Sequence, residues 1–287
     1  MDQRLLLMHQ TMLADRPRMD AYDQALAQAV EPGSVVVDVG AGTLALTMLA
    51  LRHGAEHVYA IEADPEMAAV AERIVATNDL KEKVTLIEGD ARLAKLPRKA
   101  DVVVSEMMGN LGPEEDMMRV VDAVARRNLR PGGVVIPRRL TTKLAAIQFD
   151  GEGWGLWDND FHGYRLDVVQ DFAESRAQLH FFQRDPSLLA EPTPMADDDT
   201  RLHVVRSGEL HAIMGFFTAE LTDDVFLSNF PSYPGCNWAV WIWPLRHSTV
   251  AEGDSLRLKV RRPSDAARSR LVTEWRLDCA ITRGKGS

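Results

Sequence analysis

Three things are scarce in this sequence, and each scarcity closes off a class of protein. Cysteine occurs only at Cys236 and Cys279, too few for a disulfide framework or a thiolate metal site. Histidine offers no substitute, because His203, His211 and His247 lack the spacing of metal ligands, and no metal is expected. Positive charge is in deficit: 33 Lys and Arg face 42 Asp and Glu, for a formal net charge of −9. Such a chain has no general affinity for nucleic acid or anionic membrane and is biased toward cationic small molecules or basic peptides. Long apolar runs are missing too. The most apolar stretch, Val35–Leu51, is interrupted by Asp38 and glycines and cannot supply the roughly 20 apolar residues of a membrane span. Leu5–Met8 is too short for the apolar core of a signal peptide, so the expectation is a cytoplasmic protein.

What is present is enough for one large domain or two ordinary ones: 287 residues, 46% of them hydrophobic. Residues 3–30 carry apolar side chains at intervals of three and four and read as helix, with Pro17 expected to divide them in two. Val35–Val39 reads as a buried strand, and Gly40-Ala41-Gly42-Thr43 as a tight turn into a helix reaching about Arg52. Glycines at that place let backbone approach a ligand at a helix N-terminus. The pattern repeats with strand His57–Ile61 ending in Glu62, helix Pro65–Asn78, strand Val84–Glu88 before Gly89-Asp90, strand Asp101–Val104, helix Met117–Asn128, and a strand starting at Val134 after a turn at Pro131-Gly132-Gly133. Alternation of this kind implies a parallel, doubly wound α/β sheet. From Leu140 on, the alternating runs Thr142–Ile147, Leu202–Val205, His211–Leu221, Ala239–Trp243 and Ser255–Val260 imply an antiparallel, barrel-like sheet. Trp154–Asp198 reads as an irregular insertion, either a lid or an arm for self-association. The tail Arg283–Ser287 reads as disordered. Boundaries are therefore expected at residues 1–30, 31–137 and 138–287.

The glycine turn fits either a dinucleotide fingerprint or a methyltransferase. Asp38, just before the glycines, sits poorly beside a pyrophosphate and well beside the cationic methionyl part of S-adenosylmethionine. Glu62, at about 20 residues beyond the turn, suits ribose hydroxyls, and Asp90 suits the adenine side. These acids favour the methyltransferase. The stretch Ser105–Met118, SEMMGNLGPEEDMM, follows a buried strand that delivers Glu106 to the sheet edge. Gly109, Gly112 and Pro113 turn the chain so that Glu114 or Glu115 can return opposite Glu106. Two facing carboxylates need a cation or a shared proton between them.

These residues resemble the protein arginine N-methyltransferases. Ser105, Glu106, Met108, Gly109, Glu115 and Met117 match that family's S-E-x-M-G loop with its second glutamate nine residues on. His9, Met12, Leu13, Asp15, Arg18 and Tyr22 match its cofactor helix. Asp38–Thr43 and Ala60-Ile61-Glu62 match its first two strand ends. The resemblance implies a Rossmann-like S-adenosylmethionine domain, an antiparallel β-barrel-like domain and a dimerisation arm at about 154–198, hence a homodimer. It implies that Glu106 and Glu115 clamp a guanidinium, with Glu114 a solvated neighbour. Arg18 would hold the methionyl carboxylate, Asp38 with Gly40 and Gly42 the amine, and Glu62 the ribose. Met12 and Met117 would line the channel, Trp238 would wall the substrate, and His9 would touch the cofactor or cap its helix. The chain departs from the family at Leu44, where a third turn glycine is usual, at Arg92, where an adenine-contacting glutamate is usual, and at Cys236-Asn237-Trp238, where T-H-W is usual. Asn237, with the few residues ahead of His9, tilts the expectation toward free L-arginine or a small guanidine in a biosynthetic tailoring step. An arginine-containing peptide, another metabolite on the same scaffold, and an inactive cofactor-binding regulator are the rival expectations.

Overall fold

The computed structural model describes residues 2–150, 162–172, 175–233, 238–265 and 268–284, without the side chains at 115, 171, 172 and 268. The chain opens with helices α1 (Gln3–Ala14) and α2 (Arg16–Ala29). They part at Asp15 rather than at Pro17. Pro17 lies in the first turn of α2, where its missing N–H costs nothing, and the Asp15 side chain caps the helix by accepting from the Arg18 N–H at 3.3 Å.

Five parallel strands follow: β1 (Val35–Val39), β2 (His57–Glu62), β3 (Val84–Glu88), β4 (Ala100–Ser105) and β5 (Leu129–Ile136), in the order β3-β2-β1-β4-β5. Helices α3 (Ala45–Arg52), α4 (Pro65–Thr77) and α5 (Met117–Asn128) are the crossovers. Every residue of β1 is buried, as a central strand covered on both faces requires. Pro131-Gly132-Gly133 is not a turn ahead of the strand as expected, because β5 begins at Leu129. That stretch bulges inside β5, where the pairing with β4 slips between Ala100↔Leu129 and Val102↔Val134.

The rest of the described chain is antiparallel. It comprises β6 (Arg139–Gln148), β7 (Gln178–His180), β8 (Ser187–Leu188), β9 (Thr193–Pro194), β10 (Thr200–His203), β11 (Gly208–Glu220), β12 (Phe226–Ser228), β13 (Val240–Val250), β14 (Ser255–Arg261) and β15 (Arg276–Thr282). One sheet runs β7-β13-β11-β6-β8, with β12 on β11 and β9 on β6; the other runs β10-β14-β15. Leu144, Ile213 and Trp243 of the first sheet share a core with Leu202, Leu256 and Leu277 of the second. Three short strands, β7 to β9, lie in the segment read as irregular, because two- and three-residue strands carry no detectable period. The arm expected at about 154–198 lies partly outside the described residues. Arg283 and Gly284 are pinned rather than loose: both bind the Asp254 carboxylate, at 2.7 and 2.9 Å.

The two halves share one apolar core. Phe217, Ala219, Leu221 and Leu227 from the β11–β12 hairpin pack with Tyr22, Val103 and Ile136. This fixes the barrel-like half over the C-terminal ends of β1 and β4, where the strand order reverses and open α/β sheets bind ligands.

Candidate active site

The end of β1 is held from three directions. Ser105 Oγ donates to the Val39 carbonyl at 2.9 Å, the buried Tyr22 hydroxyl donates to the Ser105 carbonyl at 2.8 Å, and Gly40 N–H donates to the Ile61 carbonyl at 2.9 Å. Gly40 and Gly42 have φ of +74° and +49°. A Cβ at Gly42 would come within 2.6 Å of the His9 ring, and one at Gly40 within 2.8 Å of the Met107 sulfur. Glycine is therefore required by conformation and by space. Leu44, at φ 63°, takes the same left-handed backbone without being glycine. Its full burial among Ala41, Ala60 and Val84 offsets a strain of about 1–2 kcal/mol.

Asp38 is buried beneath this turn. One carboxylate oxygen accepts from both the N–H and the hydroxyl of Thr47, at 2.9 and 2.7 Å. The other, Oδ1, is buried without a partner. Burial pushes the carboxyl up to about 6, against the Thr47 hydrogen bonds that lower it. Glu62 ties the turn to β2 by accepting from the Gly42 and Asp64 N–H groups, each at 2.8 Å. His9, on α1, faces the turn; half-burial lowers its pKa, with Glu62 and Asp64 opposing.

Two neighbouring hollows share His9, Met12, Gly40 and Glu106 as lining. The smaller, of about 70 Å³, reaches Asp38 and the glycine turn. The larger, of about 540 Å³, is lined also by Arg18, Glu62, Met107–Asn110 and Trp238, a volume suited to a small ligand. Arg18 lines the larger hollow. Its guanidinium pairs with Glu106 at 3.1 Å and with Asp15 at 3.3 Å, and lies 3.4 Å from the centroid of the Trp238 ring. Its Nε is buried without a partner. Asp15 and Trp238 are thus part of the same ionic and aromatic cluster as Arg18.

The loop after β4 forms the far wall. Gly109 and Gly112 exchange N–H···O bonds at 3.0 Å, closing a narrow hairpin. The antiparallel half grips it at four places: Trp238 Nε1 donates to the Met108 carbonyl (3.2 Å), Asn229 Nδ2 to the Asn110 carbonyl (2.7 Å), Thr142 Oγ1 to the Leu111 carbonyl (2.9 Å), and Trp241 Nε1 to Glu114 (2.7 Å). Glu114 is therefore not the solvated neighbour expected from the sequence. Its other oxygen accepts from the Leu111 N–H at 2.7 Å, and burial raises its pKa. Glu115 follows in the same 3-10 turn, Pro113–Glu115, and its side chain lies outside the described residues, as does Asn237.

Of the residues expected at the site, Glu106, His9, Arg18, Asp38, Gly40, Gly42, Glu62, Met12 and Trp238 line the hollows. Asp90 and Met117 are not brought there. Asp90 is exposed, and both its oxygens are taken by Arg92. Met117 opens α5 and is 1% exposed in the core, because that helix turns its apolar side onto the sheet.

Residues 36–133 match a family model described as a methyltransferase domain. Protein arginine N-methyltransferase 1 of Schizosaccharomyces pombe is 37% identical over 271 residues, covering 87% of this chain and 79% of that protein. Probable protein arginine N-methyltransferase 6.1 of Oryza sativa subsp. indica is 35% identical over 184 residues, 63% of this chain; the match spans just under half of that relative, 47%. Among solved structures, Arabidopsis thaliana protein arginine methyltransferase 10, described as uniquely open, is similar with a TM-score of 0.78 and 26% identity, over 98% of this chain and 95% of that one.

Proposed function

The chain belongs to the protein arginine N-methyltransferase family, and from that membership we propose that it transfers a methyl group from S-adenosylmethionine to a guanidino nitrogen of arginine. The observation that carries this reading is the Arg18 guanidinium, already seated between the Glu106 carboxylate and the Trp238 ring face. A corner that holds one flat cation by a carboxylate and an aromatic face has the chemistry to hold another.

The orphaned buried atoms fit the cofactor. Asp38 Oδ1 would accept from its amine, Arg18 Nε would donate toward its carboxylate, and Glu62 beside the open glycine turn would meet its ribose. When bound, S-adenosylmethionine supplies a methyl on a positively charged sulfur. Glu106 would offset the repulsion between that charge and the incoming guanidinium. By clamping two of the guanidinium nitrogens, with Glu115 as the second carboxylate, it would leave the third aligned for attack. A guanidinium is too weak an acid for a carboxylate to deprotonate beforehand, so the proton leaves with the methyl transfer rather than before it. The proton becomes acidic as the new bond forms, and a glutamate accepts it.

The lining bears on the form of arginine. Among the described residues that line the hollows, Arg18 is the one Lys or Arg side chain, and the undescribed stretches 151–161 and 234–237 contain none. A free amino acid brings a second carboxylate that needs its own cation. This favours peptide-bonded arginine over the free L-arginine favoured by Asn237, and leaves a carboxylate-free guanidine open. The arm at about 154–198 would make a homodimer, which sedimentation tests. Among the described residues no helix is long and apolar enough to cross a membrane. Incubation with labelled cofactor and, separately, an arginine-containing peptide, free L-arginine or a carboxylate-free alkylguanidine tests the reading. Label is expected in the peptide, transfer to free arginine alone would reverse the preference, and no transfer to any of the three would refute the activity.

A further inference from the structure

Glu114 is the residue whose place in the structure departs furthest from its sequence reading, and it lies outside the lining of both hollows. Its carboxylate sits behind the hairpin that forms the wall opposite α1. One oxygen accepts from the Trp241 indole at 2.7 Å and the other from the Leu111 N–H at 2.7 Å. Burial raises the carboxyl's pKa, and the Trp241 and backbone N–H groups around it oppose that rise. The packing is close enough that a Cβ at Gly109 would run into the carboxylate. Glycine at 109 is thus dictated by Glu114, and the pair fixes how near Met108, Gly109 and Asn110 stand to the cavity. Trp241 belongs to β13 and is 6% exposed, so the hairpin is braced against a rigid sheet rather than against solvent.

We infer that Glu114, through Trp241, is a positioning residue for the proposed methyl transfer: it holds the loop that carries Glu106 at one end and Glu115 at the other. This rests on the guanidino-methylation reading. Methyl transfer needs the nitrogen in line with the carbon–sulfur bond, so a wall displaced by an ångström lowers turnover much more than it lowers occupancy. The cofactor is gripped by other elements, the β1 turn and Glu62, which Glu114 does not touch among its described contacts.

The test measures kcat and KM for an arginine-containing peptide and the Kd of S-adenosylhomocysteine for Glu114→Ala, Glu114→Gln, Trp241→Phe and Glu114→Ala/Trp241→Phe. Glu114→Ala is expected to lower kcat about 30- to 100-fold while the Kd stays within about twofold. Glu114→Gln keeps one acceptor oxygen but sets its amide N–H groups against one of the two donors, so it is expected to cost about tenfold, less than Glu114→Ala and close to the loss of the indole donor alone. Trp241→Phe removes the indole donor together with part of the ring's volume and is expected to cost about tenfold, with the double variant no worse than Glu114→Ala alone, the signature of two groups acting as one. Unchanged kcat in Glu114→Ala, equal losses of kcat and cofactor affinity, or independent effects in the double variant would each overturn the inference. Should Glu114→Ala fail to fold, Glu114→Gln and Trp241→Phe decide it, and full kcat in Trp241→Phe overturns it. Absence of transfer by the unmodified protein would refute the methylation reading and this inference with it, whereas transfer indifferent to Glu114 refutes this inference alone.

Discussion

The two walls of the cavity are built differently. On the glycine-turn side, the two buried acids are held by residues of the parallel half close to them in the chain: Thr47 bonds Asp38 across nine residues, and Gly42 bonds Glu62 across twenty. On the loop side, Trp238 reaches Met108 across 130 residues, Trp241 reaches Glu114 across 127, and Asn229 reaches Asn110 across 119. The acids of the first wall are held within the parallel half, with α1 and α2 covering them. The second is held by bonds from the antiparallel half, so on the proposed function cofactor binding and substrate alignment are expected to respond separately to mutation.

The largest separation should come from Glu106. Replacing it with Gln removes the charge that offsets two cations, and methyl transfer should fall about 100- to 1000-fold. Single-turnover rates set beside cofactor titration would show the loss confined to the chemical step. Next is Asn229, buried, which donates to Asn110 and Ala239 and accepts from Phe217 N–H. Asn229→Ala leaves these groups unpaired and should cost about 2–4 kcal/mol in denaturant unfolding, with transfer impaired more than cofactor affinity. Equal loss of both would erase the distinction between the walls.

That distinction also decides what the sequence could reveal. Motifs are short, so they report contacts that are short in sequence. Asp38 before two glycines, Glu62 at the next strand end and Arg18 on a helix all carry their meaning locally, and the parallel sheet follows from the alternation of apolar strands and amphipathic helices. Glu114 could not be told from a solvated acid, because its partner Trp241 lies in another sheet. Asn229 gave no signal for the same reason. Asp90 misled because a carboxylate after a strand has a cheaper local option: it pairs with Arg92 two residues away and caps a 3-10 turn. β15 carried a period-two signal that could have found it, with Leu277, Cys279 and Ile281 alternating with the exposed Arg276, Asp278 and Ala280.

Asp38 gives a smaller effect with a definite sign. Its folded pKa of about 6 lies above the model-peptide value, so the folded state holds this proton more tightly than the unfolded chain. Its contribution to stability is therefore fully present below about pH 4 and declines as pH rises through about 6, by roughly 3 kcal/mol. Asp38→Asn, which keeps an oxygen for Thr47, should raise the thermal midpoint at pH 7.5 and weaken S-adenosylmethionine binding by about tenfold or more. In the unmodified protein that affinity should fall as pH drops below about 6. A thermal midpoint lowered by Asp38→Asn would mean that the ionised carboxylate stabilises the fold. The smallest effect belongs to Asp90→Ala: exposed and paired with Arg92, it should change cofactor affinity by less than about twofold. A larger change in calorimetric titration would return Asp90 to the site.

The account stands most directly on where the methyl group goes. Tandem mass spectrometry of an arginine-containing peptide, after incubation with the protein and S-adenosylmethionine, should place the added methyl on a guanidino nitrogen and show it nearly absent with Glu106→Gln. A methyl on any other atom, or undiminished guanidino methylation by Glu106→Gln, would contradict the role given to that carboxylate.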